Sequence, residues 1–166
     1  MTDSADLRFS EHQATELARL ILDELALARL LQHRLHQEFS LLGDASPQAL
    51  ADSAKQKSAT LSRLNRQANS RLEWMELQQL PLADAFLQHP TIAARPQLQQ
   101  LWQQLATQYQ TNSNLSGQLS ELVLKNRRRI QKRLEILRGQ KDRSTILYTS
   151  QGTSQLNRSG GGYIEA

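Results

Sequence analysis

The sequence contains no cysteine among its 166 residues, and this absence excludes several kinds of site at once. A chain without thiols forms no disulfide, no thiolate metal site and no cysteine nucleophile. Such a composition suits a reducing compartment.

Side chains that favour β-sheets are nearly missing as well. There are one valine and six isoleucines, against thirty leucines and twenty-one glutamines. Leucine and glutamine lose little rotamer freedom in a helix, whereas β-branched residues are the ones enriched in strands. The composition therefore predicts an all-α protein.

Long uninterrupted apolar runs are also lacking. The most apolar stretch, residues 20–31, is interrupted by three charged residues, so we expect no stable membrane insertion. Residues 1–10 contain two aspartates and no apolar centre, which argues against a secretory signal. Together with the missing thiols, these features predict a soluble, cytoplasmic protein.

No catalytic motif can be assembled from the sequence. It has no phosphate-binding glycine loop, no Ser-His-Asp order and no paired carboxylates. His33 and His36 lie three residues apart on a predicted helix, but no further metal ligand has a fixed place near them. We therefore predict that the protein is not an enzyme and needs no cofactor or metal.

Glu24 is the one acidic residue in the middle of a predicted apolar face. A catalytic acid there would need a second titratable group beside it, and none is apparent. Folding the first two helices back on each other places Glu24 opposite residues near 65, so Arg66 or Arg71 is its expected partner. We favour a structural ion pair.

The longest periodic pattern in the chain runs from Pro96 to Gly139. Apolar and small polar residues recur there at alternating spacings of four and three, which is typical of one face of a helix. The series is Leu98, Trp102, Leu105, Tyr109, Asn112, Ser116, Leu119, Val123, Asn126, Ile130, Arg133 and Leu137. It predicts a helix of roughly 60 Å, with Trp102 and Tyr109 as packing residues.

Helix-capping residues, prolines and a tight turn divide the rest of the chain into helices. Ser10 with Gln13 predicts a capped helix start, and Ser46-Pro47 predicts another after a tight turn. Phe86 and Leu87 are expected to close the end of the bundle. The predicted helices are about 11–42, 47–79, 82–88 and 97–138. We expect three long antiparallel helices and a short crossing helix to form a bundle over residues 1–139, followed by a flexible carboxyl-terminal tail at 140–166.

Positive charge is concentrated in one segment. Between Lys125 and Arg143 there are nine basic and two acidic residues, a net +7, which leaves −3 for the rest of a chain of net charge +4. Such a segment could bind nucleic-acid phosphates. Against that hypothesis, it lacks interleaved aromatic residues and has an apolar face that phosphate binding does not need. A self-associating coiled-coil scaffold is a third hypothesis.

Asn112 and Asn126 are polar residues in the apolar series of the long helix. They can set the register of a packed helix, as a buried asparagine does in a coiled coil. Alternatively, they mark a loosely packed face that accepts a helix from another protein. Spacing alone leaves both interpretations open.

Several short motifs, taken in order, resemble the FlgN family of flagellar type III export chaperones. They are Glu24 with Ala26-Leu27; Leu50, Lys57, Leu61 and Leu64; the turn-like run Asn112 to Leu119; Leu134 to Gly139; and Leu147-Tyr148 followed by Gly152. Two positions depart from the family pattern, because Ser116-Gly117 replaces an Asn-Gly pair and Thr149 replaces the first glycine after the tyrosine.

This resemblance implies a helical chaperone without catalytic activity. It would bind the amphipathic carboxyl-terminal helical ends of hook-associated (hook–filament junction) proteins in the cytoplasm, prevent their premature assembly and deliver them to the export gate. No nucleic-acid partner is then needed. The family's tail element makes Leu147 and Tyr148 the candidates for docking to the gate.

The candidate client-binding residues follow the open face of the long helix. They are Asn112, Leu115, Leu119, Leu122, Val123, Asn126, Ile130, Leu134 and Leu137. The first two helices have predicted lengths of roughly 50 Å, so the carboxyl end of the third should lack full cover. There Ile130, Leu134 and Leu137 would form an apolar strip lined by arginines.

Overall fold

The computed structural model describes residues 9–43, 46–82 and 85–147, with side chains as far as residue 139. Within these ranges every regular element is a helix, so the all-α prediction is confirmed. The helices are α1 (Glu11–Leu41), α2 (Pro47–Leu77), α3 (Ala85–Gln88), α4 (Pro90–Ala93) and α5 (Pro96–Leu147).

Both of the predicted helix starts are present. The Ser10 hydroxyl accepts a hydrogen bond from the Gln13 backbone N–H at 3.1 Å, and the Gln13 side chain accepts one from the Ser10 N–H at 2.7 Å. This reciprocal pair satisfies two otherwise free donors of α1. Ser46 accepts from the Ala49 N–H at 3.2 Å, with Pro47 in the first turn of α2.

A left-handed residue ends α2. Gln79 has φ of 56° and donates its N–H to Glu76 at 2.9 Å, while the Leu80 N–H reaches Met75 at 2.9 Å. These two bonds form the Schellman motif, in which the apolar residue after the turn packs back on the last helical turn. Leu80 and Met75 are both buried in one core cluster, as that motif requires.

The crossing segment forms two short helices where one was predicted. Helix α3 stops at Gln88 because Pro90 disfavours a helical conformation at His89, whose ψ is 129°. Phe86 is completely buried, and Leu87 is partly buried against the same cluster, so both residues pack into the core. Ile92, also completely buried, was not singled out from the sequence.

Contacts between α1 and α2 run in opposite directions along the two helices. The Gln67 side chain donates to the Leu20 carbonyl at 3.4 Å, and Lys57 pairs with Glu38 at 2.6 Å. Residue numbers that rise along α1 thus meet numbers that fall along α2, which is the antiparallel sense.

The first part of α5 packs against α1 in the same direction. Arg95, which directly precedes α5, pairs with Glu11 at the start of α1 at 2.8 Å, and further along the Asn112 amide donates to the Ala28 carbonyl at 2.8 Å, so residue numbers rise together along the two helices. Leu119 lies in a buried cluster with residues of α1 and α2. These contacts belong to the first of two compact units, which ends at Ser120.

A buried ion pair joins the three long helices. Glu24 of α1 is completely buried and accepts from the Arg71 guanidinium of α2 at 2.5 and 3.2 Å. The Tyr109 hydroxyl of α5 donates to the same carboxylate at 2.6 Å. Burial, with a contribution from the adjacent Glu24, raises the pKa of Tyr109 above its ordinary value. Arg71 was one of the two expected partners of Glu24, and that prediction is confirmed.

Replacing Tyr109 with phenylalanine is expected to lower the free energy of unfolding by about 1.5–2 kcal/mol, because a hydrogen bond to a buried carboxylate is lost. Glu24 keeps both guanidinium bonds in this variant, so the protein should remain folded. Urea denaturation followed by circular dichroism measures the change. A loss below about 0.5 kcal/mol would mean that water replaces the hydroxyl.

The predicted end of α5 near residue 138 is wrong, because the helix continues to Leu147. Glycine in a helix interior costs about 1 kcal/mol relative to alanine, which many neighbouring helix formers can offset. No proline follows Gly139 to stop the helix. The second compact unit begins at Glu121 and contains this part of α5.

Candidate client-docking surface on α5

Four apolar side chains of the second unit are exposed on one face of α5. Their exposed fractions are 42% for Val123, 59% for Ile130, 49% for Leu134 and 59% for Leu137. At about 100° per residue they fall within an arc of roughly 60°. We call these four residues the exposed strip. Their burial by another helix would remove apolar surface from water without unfolding the chain.

Three of the predicted client-binding residues belong to the core instead. Asn112 and Leu119 are buried, and Leu115 is partly buried against the same cluster as Leu119. The prediction that they form an open face is wrong, since α1 and α2 already cover them. The bond from Asn112 to Ala28 favours the register-setting interpretation of this asparagine.

The remaining predicted residues differ in exposure. Leu122 and Asn126 are half-buried, while the four members of the exposed strip are the accessible part of the set. The candidate surface is therefore shorter than the sequence indicated. It begins at Val123 and ends at Leu137.

Arginines border the exposed strip on both sides. Arg127 lies four residues after Val123 and three before Ile130, and Arg138 lies four after Leu134. Arg133, on the other side, is three residues after Ile130. Residues three or four apart are neighbours on a helix surface, and all three arginines are exposed. No ion pair between side chains described up to residue 139 uses any of them.

The acidic residues of this segment lie on the opposite face of the helix. Glu121 and Glu135, the two carboxylates between residues 121 and 139, are each more than 90° from the centre of the exposed strip by helical geometry. Lys125, Arg128 and Lys132 share that distant face. The charged residues at the borders of the strip are therefore all basic, whereas the far face has both basic and acidic residues.

Two further exposed apolar residues were missed from the sequence. Leu124 is 52% exposed and Ile136 is 60% exposed, and both point away from the face of the exposed strip. Neither belongs to the four-three series, so periodicity gave no signal for them. They provide controls of the same chemistry at a different position.

Other functional classes find little support in the described residues. Both oxygens of Glu24, the one candidate acid, are occupied by Arg71 and Tyr109. Within residues 9–43, 46–82 and 85–139, no three His, Asp or Glu side chains gather as metal ligands. Among the helices of the same ranges, none is long and apolar enough to cross a membrane.

The second predicted site falls at the edge of the described residues. Leu147 is the last residue of α5, and Tyr148 lies outside the described ranges. Docking of these two residues to an export gate therefore stays a prediction.

Comparison with known families gives one clear match. A family model described as "FlgN protein" matches residues 12–155, which is most of the chain and includes all but the first residue of α1 and the whole of α5. No match was found among curated proteins or among solved structures.

Proposed function

The chain belongs to the FlgN family of flagellar assembly chaperones, and we propose that its clients are hook-associated junction proteins. It binds their amphipathic carboxyl-terminal helical ends in the cytoplasm, before those proteins assemble. By covering the apolar faces that drive polymerisation, it prevents premature assembly and delivers the clients to the type III export gate.

The exposed strip is the observation that supports this proposal. Four apolar side chains on one helical face remain in water over residues 123–137. Fully burying a side chain of this size contributes roughly 1.5–3 kcal/mol, so covering the strip supplies a substantial part of a micromolar affinity. An amphipathic helix laid along α5 has the geometry to cover all four.

The client's helical end is expected to order as it binds. Disordered segments lose conformational entropy on binding, which keeps their affinity moderate and the complex reversible. Reversible binding suits a chaperone that must release its client at the export gate.

Recovery of clients from cells tests the proposal. The tagged full chain, purified from its native cytoplasm, should bring down junction proteins, and a purified client should bind at moderate and high salt alike. Nucleic acid in the preparation without any junction protein would contradict the proposal, as would binding that falls steeply with salt. Self-association in light scattering, with no client recovered, would favour the scaffold hypothesis.

Replacing Tyr148 with alanine is expected to impair export while leaving the melting temperature and client binding intact. The residue matches the tyrosine of the family's tail element, and tyrosine is a common anchor residue in protein interfaces. Secretion of a junction protein in cells, measured beside client binding in vitro, separates the two effects.

The matched control for this variant is Tyr163→Ala, which removes a second tyrosine from the carboxyl-terminal segment but lies outside the Leu147-Tyr148 element. Its export should equal that of the unmodified chain. If Tyr148→Ala unfolds the protein, the tyrosine is a packing residue and the docking proposal fails.

A further inference from the structure

The exposed strip is apolar, and the charged residues that border it indicate the charge of the partner that binds there. Resting on the proposed function, we infer that the strip selects amphipathic helices whose apolar stripe is bordered by acidic residues. The carboxylates of such a helix would pair with Arg127, Arg133 and Arg138.

The positions of the three arginines support this inference. They occupy both borders of the exposed strip, at positions three or four residues from its members. In paired helices, the side chains that border the apolar contact reach their counterparts on the partner helix, and their charges set which partner is accepted. The borders of the strip correspond to those positions, and both are basic.

Charge complementarity sets the sign of the partner's border residues as negative. The two carboxylates of residues 121–139 lie on the far face, so none neutralises the borders of the strip. Among the side chains that the structure describes, which end at residue 139, no ion pair uses the three border arginines. Guanidinium groups bind carboxylates through paired hydrogen bonds, which makes Glu and Asp the matching residues on the partner. A basic border would instead repel a lysine-flanked helix.

An apolar helix partner fits this surface better than a nucleic acid does. Residues 121–139 contain no aromatic side chain on which bases could stack. Phosphates would meet the arginines but leave Val123, Ile130, Leu134 and Leu137 in water. A helical peptide satisfies the apolar and the charged groups of one face together.

Two designed peptides test the inference against the full chain. Both carry the same leucine stripe, one flanked by glutamates and the other by lysines at the same positions. In calorimetric titration the glutamate peptide should bind at least tenfold more tightly, since three exposed ion pairs are replaced by three repulsive contacts. Because these charges are exposed, the difference should shrink at high salt.

Two triple variants distinguish border charges from net charge. Arg127→Gln with Arg133→Gln and Arg138→Gln removes the borders, whereas Lys125→Gln with Arg128→Gln and Lys132→Gln removes the same charge from the far face. The first variant should lose the preference for the glutamate peptide. The second should keep it, although its net charge falls by the same amount.

Other outcomes would overturn the inference. If the two peptides bind equally and Leu134→Ser with Leu137→Ser abolishes both complexes, the charge preference is absent while the docking surface stands. If neither peptide binds, the docking surface fails as well. Equal losses in the two triple variants, with a single-stranded oligonucleotide binding more tightly than either peptide, would assign the segment to nucleic acid.

Discussion

Replacing Arg71 with methionine is expected to lower the free energy of unfolding by about 3–5 kcal/mol, because it leaves the carboxylate of Glu24 buried without a cationic partner. Glu24 is completely buried, and the Arg71 side chain is 8% exposed. Methionine keeps most of the volume of arginine, so the loss reports the charge more than a cavity. For a domain of ordinary stability this is a large fraction of the total.

Urea denaturation of three variants isolates the ion pair. Adding Glu24→Gln to Arg71→Met removes the unpaired charge and should recover part of the loss, since a neutral buried amide costs less than a buried charge. Arg19→Met is the exposed counterpart. Arg19 pairs with Glu16 and Asp23 but its side chain is 56% exposed, so its removal should change stability by less than about 1 kcal/mol.

A loss below about 1 kcal/mol for Arg71→Met would contradict the burial of this pair. It would indicate that water reaches Glu24 and that this ion pair does not hold the three helices together. Glu24→Gln alone, measured as a fourth variant, completes the cycle, and additive effects of Glu24→Gln and Arg71→Met would lead to the same conclusion, because groups in direct contact should couple.

Replacing both Leu134 and Leu137 with serine is expected to weaken client binding at least a hundredfold. Each leucine lost from a buried contact costs roughly 2 kcal/mol or more, and about 1.4 kcal/mol corresponds to a factor of ten in affinity. Leu134 is 49% exposed and Leu137 is 59% exposed, so the free protein should lose little stability. Calorimetric titration with the carboxyl-terminal helical segment of a junction protein measures the affinity.

The matched control is Leu124→Ser with Ile136→Ser. These residues are similarly exposed, at 52% and 60%, and lie on the same stretch of α5 but off the face of the exposed strip. Client affinity should change less than threefold. Unchanged affinity in the Leu134 and Leu137 variant would place the client site outside the exposed strip. Lost helicity would mean that these leucines belong to a core.

Local chemistry made the helix starts predictable. Ser10 with Gln13 and Ser46 with Pro47 specify caps through bonds between near neighbours, and the structure contains them. The sequence also narrowed the choice of partner for Glu24, because a tight turn between two helices fixes which residues face each other. That register, together with the need to neutralise a buried carboxylate, left Arg66 and Arg71 as candidates, and the structure selects Arg71.

The end of α5 was not predictable from one glycine. Gly139 weakens the helix locally, but helix continuation depends on the sum over its neighbours. Likewise the division of the crossing segment follows from Pro90 acting on the residue before it. The apolar residues of the crossing segment predicted that it is buried, but they did not predict that it forms two helices.

The sequence did not reveal which residues of α5 are buried by other helices. The same four-three spacing includes Asn112 and Leu119, which are buried, and Ile130 and Leu137, which are exposed. Periodicity identifies the face of a helix but does not say which other segment packs on it. Which residues are buried can be read only from the structure. Their burial reduces the candidate site from nine residues to the four of the exposed strip.

Site-specific photo-crosslinking tests most directly whether clients dock on the exposed strip. A photoreactive amino acid is placed at Ile130 or at Ile136, which are 59% and 60% exposed but lie on different faces of α5. With a junction protein bound, Ile130 should crosslink to the client's carboxyl-terminal helix and Ile136 should not. Equal crosslinking at both positions, or crosslinking at Ile136 alone, would contradict the proposed docking surface.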